Sequence, residues 1–314
     1  MGRRVPLPSE LPPGVAFTVA QGRSSGVADG RMRGRDLDRP HHGVRARALD
    51  STHLVDRCTA LLPLMGNDQV FSHLTAAALL GMPLSTEVRP SDPLDVLTIG
   101  ARRMRRRPGV AGRQTGDTEL PVRFIGHLPV VAPARTWCHL AETGRAARID
   151  RRWLVAIGDH VISGTRGVGR RMLALAEHAE LMEAAGAHGS RRGAAALTWA
   201  LPRLRRPVDS PRESLLRLIL VAGGLPEPEV QFAVTTSQGI RHADLGYRDA
   251  RLLIEYQGDD HRTSRKRWLE DLTRRQLFED AGYRVIELGA ADLVDEHALV
   301  ARVRRALRGR FFTA

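Results

Sequence analysis

The chain of 314 residues has only two cysteines, Cys58 and Cys138. Two thiols cannot build a disulfide framework or a four-cysteine zinc site, so a reduced compartment, the cytoplasm, is the expectation. Lysine is nearly missing, with Lys266 alone beside 47 arginines. Aromatic residues make up 4%, too few for a platform on which single-stranded bases stack. No run approaches the roughly 18 apolar residues of a membrane span. The longest apolar block, around 76–84, is broken by Gly81 and Pro83. The opening MGRRVPLPSELPPG has no apolar core, which argues against a secretory signal, and Pro6 departs from the myristoylation pattern.

What abounds is arginine. The formal net charge is +13. A basic chain of this kind is expected to meet nucleic acid, whose phosphates suit the planar guanidinium. The excess is uneven: residues 1–50 carry a net +4, 51–100 a net −3 and 101–150 a net +6. The last stretch, 201–314, is nearly balanced and holds 17 of the 35 acidic residues. Binding in one region and chemistry in another is one reading, and two solvated surfaces is the other.

Length and pattern predict an α+β multidomain protein in four stretches. Residues 1–50 read as a winged-helix-like unit. A helix begins in Val15–Gln21, Gly26 turns the chain, Gly30–Asp38 carries Arg31, Arg33 and Arg35, and 39–46 is a short extended wing. Residues 51–165 form a mixed α/β middle domain, with helices at 51–65, Ser72–Leu80, Pro133–Ala141 and Arg151–Ile162. Its strands fall at Asp95–Ile99, Gly109–Gln114 and Val122–Val131. Residues 166–209 read as a helical linker, with a helical run over Arg170–Ala184 and loose stretches at 186–193 and 202–209. Residues 210–314 have the order α-β-β-β-α-β-α. Ser210 caps a helix to Ala222 with Pro211 at its first position and Glu213 at its third. Strands follow at Glu229–Val234, Ile240–Tyr247 and Arg251–Gln257, then a helix at Arg265–Ala281 and a strand at Tyr283–Leu288. Leu299, Val300, Val303, Ala306 and Leu307 stripe a final helix.

Asp244 lies within the second of these strands and Glu255 follows the apolar run Leu252–Ile254 in the third. A carboxylate in so apolar a strand needs a partner. Adjacent antiparallel strands can bring two such acids together, and carboxylate oxygens suit Mg²⁺ or Mn²⁺. Gln257 shares the face of Glu255 by the two-residue period. Glu213 has two readings, a capping-box residue or a third acid of the same site. His261, in a loop after the third strand, could contact a phosphate or a water. Asp271 and Arg274, three apart on a helix, can pair, and Arg274 can reach a phosphate. Arg102, Arg103, Arg105, Arg106 and Arg107 form a candidate clamp on a nucleic-acid backbone, or a solvated basic hairpin. Gly164–Gly169 lacks the Lys-Ser/Thr of a nucleotide loop, and His41-His42 lacks metal-ligand spacing.

These residues fall in a wider pattern. Asp244-Leu245, Glu255-Tyr256-Gln257-Gly258, His261, Asp271 with Arg274, and Gly282-Tyr283-Arg284-Val285 occur in that order. The last hundred residues thereby resemble the very-short-patch-repair-like branch of the PD-(D/E)XK nuclease superfamily. The resemblance implies a restriction-endonuclease-like α-β-β-β-α-β core, a divalent metal on Asp244 and Glu255, a helix acid at Glu213, and DNA as substrate. It departs at Gln257, where the branch usually has Asp and the wider superfamily Lys; glutamine cannot act as a general base. VFSHLTAAALLGMPL and LPVVAPARTWCHLA, within 15–165, are similar to winged-helix proteins of the abortive-infection antitoxin type. Three readings follow: a metal-dependent DNA endonuclease, a non-catalytic DNA-binding regulator on a degenerate nuclease fold, or a protein-interaction module, which leaves the +13 charge without a role.

Overall fold

The computed structural model describes residues 6–101, 106–143, 149–164, 171–257 and 265–308, with side chains inside the 265–280 helix described from residue 273. The chain divides into two compact units, Met1–Arg148 and Ile149–Ala314. The protein is α+β, and no described helix is long and apolar enough to cross a membrane.

The first unit runs β1 (Ala16–Thr18), α1 (Val19–Ser24), α2 (Asp29–Met32), β2 (Val44–Ala46), α3 (Leu54–Leu61), β3 (Gln69–Phe71), α4 (His73–Leu79), β4 (Leu94–Ile99), β5 (Val110–Thr115), β6 (Val122–Ile125), β7 (Leu128–Val131) and α5 (Pro133–Thr143). β1 and β2 pair antiparallel over a small core of Leu11, Phe17, Val27, Met32 and Leu37. The larger sheet has the order β5-β4-β3-β7-β6. Two expectations need correction here, and one strand was not anticipated. Ala16–Thr18 forms a strand before the helix, and Thr18 then caps α1 in a reciprocal box with Gln21. Val122–Val131 is a hairpin, folded back at Gly126 (φ 59°) so that Ile125 faces Leu128. β3 is too short to show a period, yet it is the central strand. Cys58 and Cys138 are both buried and neither forms a disulfide, and burial pushes the Cys58 thiol up to about 12.

The second unit runs α6 (Arg151–Ser163), α7 (His178–His188), α8 (Ala194–Ala200), α9 (Pro211–Ala222), β8 (Glu229–Thr236), β9 (Gly239–Tyr247), β10 (Leu252–Gln257), α10 (Arg265–Asp280), β11 (Arg284–Gly289) and α11 (Glu296–Arg308). From α9 onward this is the order read from the sequence. The helical run expected from Arg170 starts only at His178. Leu175 and Ala176 spend their amides on Val161 O, and Glu177 then begins α7 through a capping box with Glu180. α8 was not anticipated between two loose stretches. Arginine holds it: Arg151 and Arg203 lie 4.6 and 4.3 Å from the Trp199 ring centre.

The sheet order is β11-β10-β9-β8, with β8, β9 and β10 antiparallel and β11 parallel to β10 across the α10 crossover. One face buries Leu245, Leu252, Ile254 and Ile286 against Leu216 and Leu220 of α9 and Val303 of α11. The other buries Phe232, Val234, Ala243 and Leu253 against Phe278 of α10. Such a sheet, covered on both faces, needs the apolar run that β10 has.

A buried ion pair joins α6 to α9. Asp159 is wholly buried and Arg217 is 1% exposed, with 3.0 Å between them. Asp159 also accepts from Ser214 Oγ and Arg205 N, and Arg217 donates to Glu227 and Arg203 O. Burial still pushes Asp159 up to about 6, against the pull of Arg217. Removing one partner would strand the other charge in the core. Arg217→Met should therefore destabilise the unit by about 3–5 kcal/mol in urea unfolding. A loss below about 1 kcal/mol would contradict this role.

Candidate functional site: three carboxylates where two strands part

The β9–β10 ladder pairs Leu252 with Tyr247, Leu253 with Gly246 and Ile254 with Leu245, and stops there. β10 continues to Gln257 on β11 alone. Its amides beyond Ile254 therefore lose their β9 partners, and a buried amide needs an acceptor. Asp244 supplies one: its Oδ2 accepts from Tyr256 N at 2.7 Å. A side chain thus takes over the sheet's hydrogen bond at the point where the strands part.

The neighbouring strand is irregular at the same level. Val230 pairs with Leu245, and both contact the α9/α11 core. Phe232 pairs with Ala243, and both contact the α10 core. Residues two apart normally share a face. Gln231, between them, has φ 47°, a left-handed conformation that costs a non-glycine residue on the order of 1 kcal/mol or more. The twist sends the Gln231 amide to α9, where Nε2 donates to Glu213 Oε2 at 3.0 Å.

Glu213 is 4% exposed, and its Oε2 also accepts from Asp209 N at 3.2 Å. Ser210 Oγ accepts from Glu213 N, so the cap read from sequence is present, while the carboxylate points to Asp209 and Gln231. Glu255 is 8% exposed. Arg274 Nη2 lies 3.2 Å from its Oε1 and 3.1 Å from its Oε2, and the same guanidinium donates to His242 O. Glu255 and Gln257 line one small recess with Arg274 and Arg275.

The three acids share one electrostatic neighbourhood. Burial first, and then the charge of Asp244, push both Glu213 and Glu255 well above the usual carboxylate range. Glu213 further raises Glu255, and Arg274 pulls it back. Like charges that cannot all ionise cheaply call for a proton or a cation. Among the described residues no three His, Cys, Asp and Glu groups form a ready metal cage. Mg²⁺ commonly binds through one or two carboxylates and keeps several waters, and Asp244 with Glu255 offers such a set.

The structure thus brings Glu213, Asp244, Glu255, Gln257 and Arg274 into one region of the second unit. His261 and the side chain of Asp271 lie outside the described residues, as do Arg102, Arg103 and Arg105. Arg106 is exposed, and Arg107 is half-buried with Nη2 donating to Leu64 O at 3.3 Å in the first unit. Gln231 was not found from sequence. Its only signal is a polar residue within a strand otherwise alternating, which strands often contain.

Two Mycobacterium tuberculosis proteins are similar over nearly the whole length: uncharacterized protein Rv2248 (strain H37Rv) and uncharacterized protein MT2308 (strain CDC 1551). Each is 28% identical over 281 residues, 89% of this chain and 95% of the relative. No family model and no solved structure matches the chain.

The cluster carries a pH signature. Both glutamates are raised from an ordinary 4.5 to about 8. A raised folded value means the native state holds the extra protons. That contribution is full below about pH 4.5 and is lost progressively as pH rises to about 8. In EDTA, Glu213→Gln should raise the melting temperature at pH 8 and leave it nearly unchanged near pH 4.5. A lower melting temperature at pH 8 would show that the cluster does not strain the fold.

Proposed function

We propose that the protein is a metal-dependent DNA endonuclease whose reacting centre is the Asp244–Glu255 pair, with Glu213 beside it. The observation that carries this reading is the convergence of three mutually repelling carboxylates from α9, β9 and β10 at the parting of two strands. Buried acids kept together at this cost suit a site that takes a cation. The α-β-β-β-α-β order is also the order that the nuclease resemblance implies.

Asp244 and Glu255 would hold Mg²⁺ or Mn²⁺, with Glu213 as a further acid. A divalent ion there supplies charge stabilisation at a phosphodiester and a more acidic water. The chain's own residues do the rest. Gln231 holds the Glu213 carboxylate. Arg274 neutralises Glu255 and offers donors to a phosphate. Gln257 can orient a water or a phosphate oxygen but cannot take a proton. In the hydrolysis a water oxygen bonds to phosphorus, one P–O ester bond breaks, and the leaving oxygen gains a proton. DNA would be held by the basic N-terminal region. There the guanidiniums of Arg35, Arg39 and Arg47 are exposed and make no hydrogen bond or ion pair among the described residues. Each such contact should add roughly one unit to the salt slope of binding.

The second reading is a DNA-binding regulator that keeps the fold and not the reaction. Two observations favour it: the neutral Gln257, and Arg274 within 3.2 Å of both Glu255 oxygens.

Nicking of supercoiled plasmid separates the two. The endonuclease reading expects cleavage with Mg²⁺ or Mn²⁺, none in EDTA, and a loss of more than about 100-fold in Asp244→Ala and Glu255→Ala. Even outer partners of metal sites are worth about 10–100-fold. Salt-sensitive DNA binding without cleavage by the wild-type protein would select the regulator.

A further inference from the structure

The first unit has a cavity of about 830 Å³ on a different set of residues. Ligand sites commonly span about 300–1,000 Å³. Its wall joins the 38–46 segment to α3 and to the loops flanking β4 and β5. Three guanidiniums, Arg39, Arg57 and Arg107, meet there with two histidines, His41 and His42.

These cations differ in how they are held. Arg57 donates to Arg89 O and Asp92 O, so it is fixed. Arg107 gives one bond to Leu64 O at 3.3 Å and keeps its other donors. Arg39 and His42 have side chains with no hydrogen-bond or ion-pair partner among the described residues. Burial, and then Arg107, lower His41. Burial, the larger cause, disfavours charge of either sign; the Arg107 charge, the smaller cause, is the one that also favours an anion. The planar forks of Arg39 and Arg107 suit phosphate oxygens.

The wall is not a simple anion trap. Asp38 and Asp56 also line it, and Asp56 Oδ2 already accepts from Asp50 N at 2.7 Å. Leu49, Leu64 and Leu94 add apolar surface. Inorganic phosphate would use the cations alone. A ligand that also has a planar apolar ring and hydroxyl donors would use the leucines and the carboxylates as well.

We propose that this cavity binds a phosphorylated ligand of mononucleotide size, through Arg39 and Arg107. The ligand can be a free nucleotide or the 5′-phosphorylated end of a strand, which present the same chemistry. The proposal does not rest on the carboxylate cluster; it shares Arg39 with the proposed DNA contacts, and AMP binding, which needs no strand, separates the two roles.

Calorimetric titration of the full chain tests it with AMP, adenosine, inorganic phosphate, and a short oligonucleotide with and without a 5′-phosphate. The proposal expects one saturable AMP site, weaker binding of adenosine and of phosphate, and a loss of about tenfold or more in Arg39→Ala and Arg107→Ala. Asp244→Asn should bind AMP as the wild type does. A 5′-phosphate effect on the oligonucleotide that disappears in the same two variants would make the strand end the ligand; AMP binding without that effect would make it a free nucleotide. The proposal is overturned if neither AMP nor the 5′-phosphorylated strand saturates. It is equally overturned if phosphate matches AMP, or if variants with wild-type circular dichroism and melting bind unchanged. Arg39 is exposed, so its replacement leaves the fold intact and keeps the test decisive.

Discussion

The hydrogen bond from Tyr256 N to Asp244 Oδ2 is the constraint on which the second unit depends. A parallel sheet edge and an antiparallel one meet on β10, and β9 must leave before β10 ends. An amide left buried and unpaired there would carry a penalty of about 1–3 kcal/mol. Meeting it with a carboxylate places a charge where the sheet interior begins. Glu255 joins it from β10 and Glu213 from α9, and the repulsion among the three is the consequence. Under the proposed reading stability and chemistry oppose one another at this point: neutral side chains would suit the fold better, and acids would suit a cation.

The wider molecule uses arginine in place of aromatic and lysine packing. Arg217 is a core residue, bonded on several sides within α6, α9 and their loops. Arg212 lies over Trp153, Arg248 over Phe232 and Arg251 over Tyr283. A flat guanidinium covers a ring face while keeping its edge for hydrogen bonds, which an ammonium cannot do. The large positive charge is therefore not one binding surface. Part of it is structural, and only exposed cations such as Arg35, Arg39 and Arg47 are open to a phosphate backbone.

Much of the second unit was legible because its signals are local. The Ser210-Pro211 cap, the apolar run of β10 and the stripe of α11 each declare their element within a few residues. Asp244 and Glu255 were legible because a carboxylate in an apolar strand is conspicuous. What stayed hidden was set by distant partners. β3 has three residues and takes its place from pairing with β4 and β7. Residues 171–177 have helical composition, but Val161 O claims two of their amides. Gln231 gains its role only from a backbone conformation that glutamine does not favour and from a carboxylate eighteen positions away. No period or motif encodes that.

The central proposal is that Asp244 and Glu255 hold a divalent cation, with Glu213 beside them. Titration of Mn²⁺ into the metal-free protein, followed by electron paramagnetic resonance, tests it without reference to any reaction. The account predicts saturable binding that is lost in Asp244→Asn and weakened in Glu213→Gln and Gln231→Leu. Binding that is absent in the wild type, or unchanged in Asp244→Asn, would contradict it.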